Sequence, residues 1–280
     1  MLRLTYDVVI FGYGHLTQQL IKFLKEKKLK VACVTDRESC GDLRDSDIDF
    51  FKYSSLIGIQ IDTMLTIFSW KDSLRLSSHD PIFQRWFKSN NLISHRSFLL
   101  SSVSVYKDSK TAIDESEQNL ILNIQSHKKY ILENDLSRIM ACKGSSHLNL
   151  RVSNVYGLNL THGLVSELIS SIRKKSVVRL YENLDLIRDY LFAQDLFNAI
   201  YSLVRWPGHI KAINVSTGIG TSARELIQLF QEQGYEIKYE LIGDSPEPLK
   251  YSSIVECTLL RSIVTWNPTS LEVGLLKILI

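Results

Sequence analysis

Asp7-Val-Val-Ile-Phe11, then Gly12-Tyr-Gly14-His15-Leu16-Thr17, then Leu20 and Leu24, is the stretch that decides the fold. Its first five residues are a short apolar run, which predicts a strand buried on both faces. The two glycines permit a tight turn, and Leu16, Leu20 and Leu24 recur at helical spacing. A strand, a glycine turn and a helix in that order aim the free N–H groups of a helix start at one point, where an anion such as a pyrophosphate can sit. Lys30 to Thr35 is a second apolar run, placed where a crossover delivers a parallel neighbour. Asp36 ends that run 22 residues after Gly14, close to the spacing of about 20 at which an acid holds an adenosine ribose. Arg37, beside it, suits a 2′-phosphate instead, so the dinucleotide is NAD or NADP. Thr17 stands where the fingerprint has its third glycine.

Further strands are expected at Met64 to Trp70, Phe98 to Tyr106 and Leu148 to Tyr156. Buried strands alternating with helices mean an α/β fold with a doubly wound, Rossmann-type parallel sheet. From Leu158 the texture changes to longer polar connections, with helices near Val165 to Lys174 and Gln194 to Val204. The expected division is therefore a dinucleotide-binding domain over 1–157 and a smaller C-terminal substrate lobe over 158–280. Within that lobe, Ala212 to Ser216 reads as a strand returning to the main sheet, and Ser222 with Glu225 reads as a capping box.

The 280 residues are 45% hydrophobic and 22% charged, with a formal net charge of +3. That describes an ordinary globular chain of about one large domain, and no basic, aromatic-rich stretch points to nucleic acid. Cys33, Cys40, Cys142 and Cys257 form no CxxC pair and lie outside ligand spacing of any histidine, so neither a metal site nor a disulfide framework is expected. No apolar run reaches the length of a membrane span, and a cytoplasmic protein is expected.

Beyond the glycine turn, several segments resemble the extended short-chain dehydrogenase/reductase family, also known as the NAD-dependent epimerase/dehydratase family of nucleotide-sugar enzymes. They are Ser101-Ser-Val-Ser-Val-Tyr106, Arg151-Val-Ser-Asn154-Val-Tyr156-Gly157, Arg188-Asp-Tyr-Leu-Phe-Ala-Gln-Asp195, Asn214 to Glu225, and Trp266-Asn-Pro268. The resemblance implies a nucleotide-sugar substrate and a role in polysaccharide synthesis. It also implies a helix-bundle homodimer. It assigns Ser102 to orient the reacting sugar oxygen and Lys129 to hold the nicotinamide ribose, with Glu133 fixing Lys129. Asn154 and Arg188 meet the substrate, Arg188 as a bidentate ligand of the diphosphate. Asp189 and Asp195 read as packing and helix-start acids.

The main departure is Gln125, which stands at the family's catalytic tyrosine position, four residues before Lys129 and on the same helical face. An amide can hydrogen-bond a carbonyl but cannot shuttle a proton at neutral pH. His127, Tyr130 and Tyr106 are the candidate substitutes. A second departure is the short connection from Trp70 to Phe98, and a third is Ile67-Phe-Ser69, whose bulk is expected to crowd the dinucleotide. Two functions follow: a nucleotide-sugar oxidoreductase or epimerase, such as a 4-keto-6-deoxyhexose reductase, or an inactive relative that binds NAD(P) or a nucleotide sugar.

Overall fold

The computed structural model describes residues 2–36, 48–69, 81–89, 91–106, 109, 111–117, 124–181, 184–243 and 252–279, the side chains of 81–84, 125, 252 and 253 excepted. Arg37, Cys40 and Trp70 lie outside the described residues. The chain divides into two compact units, and the division is not the single cut expected after residue 157. Unit 1 comprises 1–102, 124–151 and 201–213, and unit 2 comprises 103–123, 152–200 and 214–280.

Unit 1 is built on a seven-stranded sheet of β1 (Leu2–Phe11), β2 (Val31–Val34), β3 (Asp49–Phe51), β4 (Ile59–Ser69), β5 (Leu92–Ser102), β6 (Ser146–Val152) and β10 (Ala212–Val215). The spatial order is β10-β6-β5-β4-β1-β2-β3. β1 pairs in parallel with both β2 and β4, the latter over almost the whole length of the strands. The strand order reverses at β1 and β4, and a doubly wound sheet takes its ligands beyond the carboxyl ends of such a pair. β10, at the sheet edge, is the expected returning strand.

Burial explains the assignments. Val8 to Phe11 and all four residues of β2 are buried, as in strands covered on both faces. Helix α1 (His15–Glu26) buries Leu20, Ile21 and Leu24 from one face. β1, β4 and β5 all begin earlier than the apolar runs suggest, because their first halves are mixed polar and apolar: in β1, Leu2, Arg3 and Thr5 are exposed. The segment after Ser102 leaves the sheet in a 3-10 turn, Val103–Val105. The short connection holds α2 (Pro81–Lys88). From it Trp86 and Phe87 join a cluster with Phe11, Tyr53 and Phe68, where Phe11 and Phe68 stack at 5.2 Å. Phe68 therefore points into the core and does not stand as a free bulky group at the strand end. The remaining helix of unit 1 is α3 (Ile124–Cys142).

Unit 2 holds α4 (Leu164–Lys174), α6 (Ala223–Glu232), α7 (Thr258–Ile263) and α8 (Leu271–Leu279), and α5 (Ala193–Arg205) runs from unit 2 into unit 1. Its central strand, β9 (Ile187–Phe192), pairs with β7 (Asn154–Tyr156), antiparallel with β11 (Gly220–Ser222), and with β13 (Ser252–Ser253). β8 (Val178–Leu180) pairs with β12 (Tyr239–Leu241). The capping box on α6 forms as expected: Ser222 N–H donates to Glu225 Oε2 at 2.7 Å and Glu225 N–H to Ser222 Oγ at 3.1 Å. Among the described residues no helix is long and apolar enough to cross a membrane.

Candidate functional site

The glycine turn is shaped by two different demands. Gly12 has φ +110°, in the left-handed region that favours glycine, and its N–H donates to Val34 O at 2.9 Å. Gly14 has ordinary extended backbone, φ −146° and ψ 176°, and a Cβ built there meets nothing within 4 Å. No backbone angle and no neighbour requires glycine at 14, so an added side chain would enter only the open space at the start of α1. Thr17, at the third fingerprint position, is buried, and its hydroxyl accepts from Gly14 N–H at 2.7 Å and donates to Gly14 O at 3.0 Å. With that amide engaged, the first-turn N–H groups left for an anion are those of His15 and Leu16.

Asp36 follows β2, is exposed, and accepts Tyr53 N–H on Oδ1 at 3.0 Å. An open helix start at one strand end and a carboxylate at the next fit a dinucleotide, with Gly14, His15 and Leu16 toward the pyrophosphate and Asp36 toward a ribose.

Ser102 ends β5, and α3 lies against that end. Ser101 Oγ donates to Glu133 Oε1 at 2.5 Å, and Arg151 Nη2 donates to Glu133 Oε2 at 2.8 Å. Glu133 is 2% exposed, so this ion pair is buried. It clamps α3 to β5 and β6, and the sequence did not reveal it. Lys129 lies one turn before Glu133 on the same face of α3. Both Ser102 and Lys129 are half-buried.

Unit 2 contains a cavity of about 340 Å³ whose lining includes Asn154, His162, Glu167, Arg179, Arg188 and Tyr190. Alternation along β9 sends Arg188 and Tyr190 to one side and Asp189 to the other. Asp189 is wholly buried, and burial pushes its carboxyl above the usual range. It is held by Thr217 N–H at 3.1 Å, Gly218 N–H at 2.7 Å and Ser153 Oγ at 3.0 Å. It is a packing acid that fixes β9. Asn154 Nδ2 donates to Asp189 O at 3.0 Å, which anchors its side chain at the cavity. Gly163, with φ +92°, turns the chain into α4, so the helix start also faces the cavity. Asp195, in the first turn of α5, accepts Thr269 N–H at 2.7 Å.

The profile of the NAD dependent epimerase/dehydratase family matches residues 85–216. UDP-glucose 4-epimerase of Mycoplasma genitalium is 26% identical, over 85% of this chain and 84% of that protein. The chain is similar to members of this family. dTDP-4-dehydro-6-deoxyglucose reductase of Escherichia coli is 21% identical over 61% of this chain and 56% of its own length. The fold is that of UDP-glucuronic acid 4-epimerase from Bacillus cereus, solved with UDP-glucuronic acid and NAD, at TM-score 0.81, with 98% of each chain covered and 15% identity.

The candidate proton donors differ in their surroundings. Gln125 lies in the first turn of α3. Tyr106 is buried and its hydroxyl donates to Asn214 Oδ1 at 2.8 Å, so it is a structural tyrosine and not a substitute. Burial pushes the Tyr190 phenol up to about 12, which keeps it protonated. His127 is exposed and Tyr130 half-buried, both on α3.

Proposed function

We propose that the protein binds NAD or NADP in unit 1 and a nucleotide sugar in unit 2, and acts as a reductase or epimerase in polysaccharide synthesis. Gly14 carries the reading: a glycine kept where neither backbone angle nor packing demands one. When bound, the nicotinamide supplies or accepts hydride. The chain's own residues bind and orient. The N–H groups of His15 and Leu16 receive the pyrophosphate, for which Gly14 leaves room, Asp36 holds a ribose, and Lys129 the nicotinamide ribose. Ser102 hydrogen-bonds the reacting sugar oxygen, while Asn154 and Arg188 hold the substrate. The proton comes from water or from a residue other than Gln125, whose amide cannot deliver it. Losing a positioned acid costs about a hundred- to ten-thousandfold in rate, so slow turnover is expected.

Gln125 also favours a second reading, an inactive relative that binds the same ligands as a sensor or partner subunit. Titration with NADH and NADPH by fluorescence, followed by absorbance assays on nucleotide-linked 4-keto sugars, separates the two. Turnover supports the enzyme. Cofactor binding without turnover, with activity gained in Gln125→Tyr, supports the inactive relative. Failure to bind either dinucleotide defeats both.

A further inference from the structure

Glu167 is an anomaly in a cavity read as holding a diphosphate. It lines that cavity in the first turns of α4, is exposed, and among the described residues its carboxylate has neither an ion pair nor a hydrogen bond. Of the cavity's arginines, Arg179 donates from Nε to Glu240 Oε1 at 2.6 Å, and Arg188 holds Ile187 O with Nη1 alone at 2.8 Å. An unpaired carboxylate repels a diphosphate unless it meets hydrogen-bond donors of the same ligand. Arg188, His162 and the first N–H groups of α4 make the anion end. Glu167 stands three residues along α4 from Leu164, roughly 4.5 Å further by helical rise. The same cavity is lined by Leu180, Tyr181 and Leu184, apolar and aromatic surface suited to a flat base.

A carboxylate is an acceptor only, and it takes two parallel donors best. Guanine presents such a pair, N1–H and the N2 amino group. Uracil and thymine offer one N–H between two carbonyls, and adenine and cytosine set their amino group beside a ring acceptor. Resting on the nucleotide-sugar reading of this cavity, we propose that Glu167 selects the base, and that the substrate is a guanosine diphosphate sugar. A charge-assisted hydrogen bond contributes about 1.5–3 kcal/mol when well desolvated, and at an exposed site the lower end applies, about tenfold in affinity.

The test is isothermal titration of the full chain, NADH being present to occupy the dinucleotide site, with GDP, UDP, dTDP, ADP and CDP, which lack the transferred hexose and so compare the bases. GDP is expected to bind about tenfold more tightly than UDP or dTDP. Glu167→Gln is expected to bring that ratio to within about threefold while leaving UDP binding unchanged or tighter, since a negative charge near the phosphates is gone. Equal or tighter binding of any other base, or an unchanged ratio in Glu167→Gln, overturns the assignment and leaves the nucleotide reading standing. Binding of none of the five overturns the nucleotide reading and this assignment with it.

Discussion

Acidification from pH 7.5 to 5 is expected to weaken the fold through one side chain, His147 on β6. Its Nδ1 lies 2.8 Å from Ser97 Oγ and its Nε2 lies 3.0 Å from Asn149 Oδ1. Asn149 Nδ2 donates to Lys211 O at 3.0 Å, which fixes Oδ1 toward the ring. The network therefore assigns the proton to Nε2 and makes Nδ1 the acceptor from Ser97. A second ring proton would displace the Ser97 hydroxyl from its role as donor and place a charge in a half-buried site. Burial accordingly pushes His147 down to about 4, despite an opposing contribution from Asn149. The unfolded value is about 6.5. Between those limits the unfolded chain takes up a proton that the folded chain refuses, so stability present above pH 6.5 is lost as pH falls toward 4. At about 1.4 kcal/mol per pH unit the loss is roughly 2 kcal/mol at pH 5 and about 3 by pH 4. Urea unfolding of wild type and His147→Gln at pH 7.5, 6 and 5 measures it. Because only the wild type carries this titration, its stability advantage over the variant should shrink by roughly 2 kcal/mol between pH 7.5 and 5. Parallel pH profiles for the two proteins would refute the reasoning.

Three further outcomes are expected. Gly14→Ala should lower stability by less than about 1 kcal/mol, the range of an N-cap change, yet weaken NADH binding at least about tenfold; undiminished binding in a fluorescence titration would remove the cofactor role of the turn. Glu133→Ala should destabilise unit 1 by about 3–5 kcal/mol, because it leaves Arg151 buried without its partner, and chemical denaturation reads the difference. In Gly274→Ala the new methyl would overlap the Tyr156 hydroxyl across α8; a drop of several degrees in melting temperature is expected, and an unchanged melting point would show that the ring can shift freely.

The strand-turn-helix at Asp7 to Leu24 was legible because it obeys two periods in succession, two-sided burial and then 3.6. The doubly wound class of the sheet followed from it, and the strand order did not. The first halves of β4 and β5 were not legible, since Gln60, Asp62, His95 and Arg96 interrupt the apolar signal. Arg96 shows why such residues fit: its guanidinium donates to the carbonyls of Leu203 and Gly208 at 2.9 Å, closing the end of α5 through contacts remote in sequence. The Ser101–Glu133–Arg151 clamp was hidden for the same reason, its three parts lying on three elements. Motif reading found Asn154 and Arg188 at the cavity. It passed over His162 and Glu167, which are exposed polar residues in no periodic pattern until β8, β9 and α4 bring them to one wall. The sequence marks Thr17 only as a departure from the fingerprint's third glycine, and its task of occupying the amide of Gly14 needed the turn's actual geometry.

The chain passes between its two units several times, with 103–123 and 152–200 belonging to one and 124–151 and 201–213 to the other. A gene fragment ending at residue 157 would lack β10 and the last turn of α5, and the complementary fragment would lack 103–123. Neither piece can be exchanged as a module by recombination. The wall of the unit 2 cavity can still be altered by point substitution along β8, β9 and α4, while the interleaved scaffold stays whole.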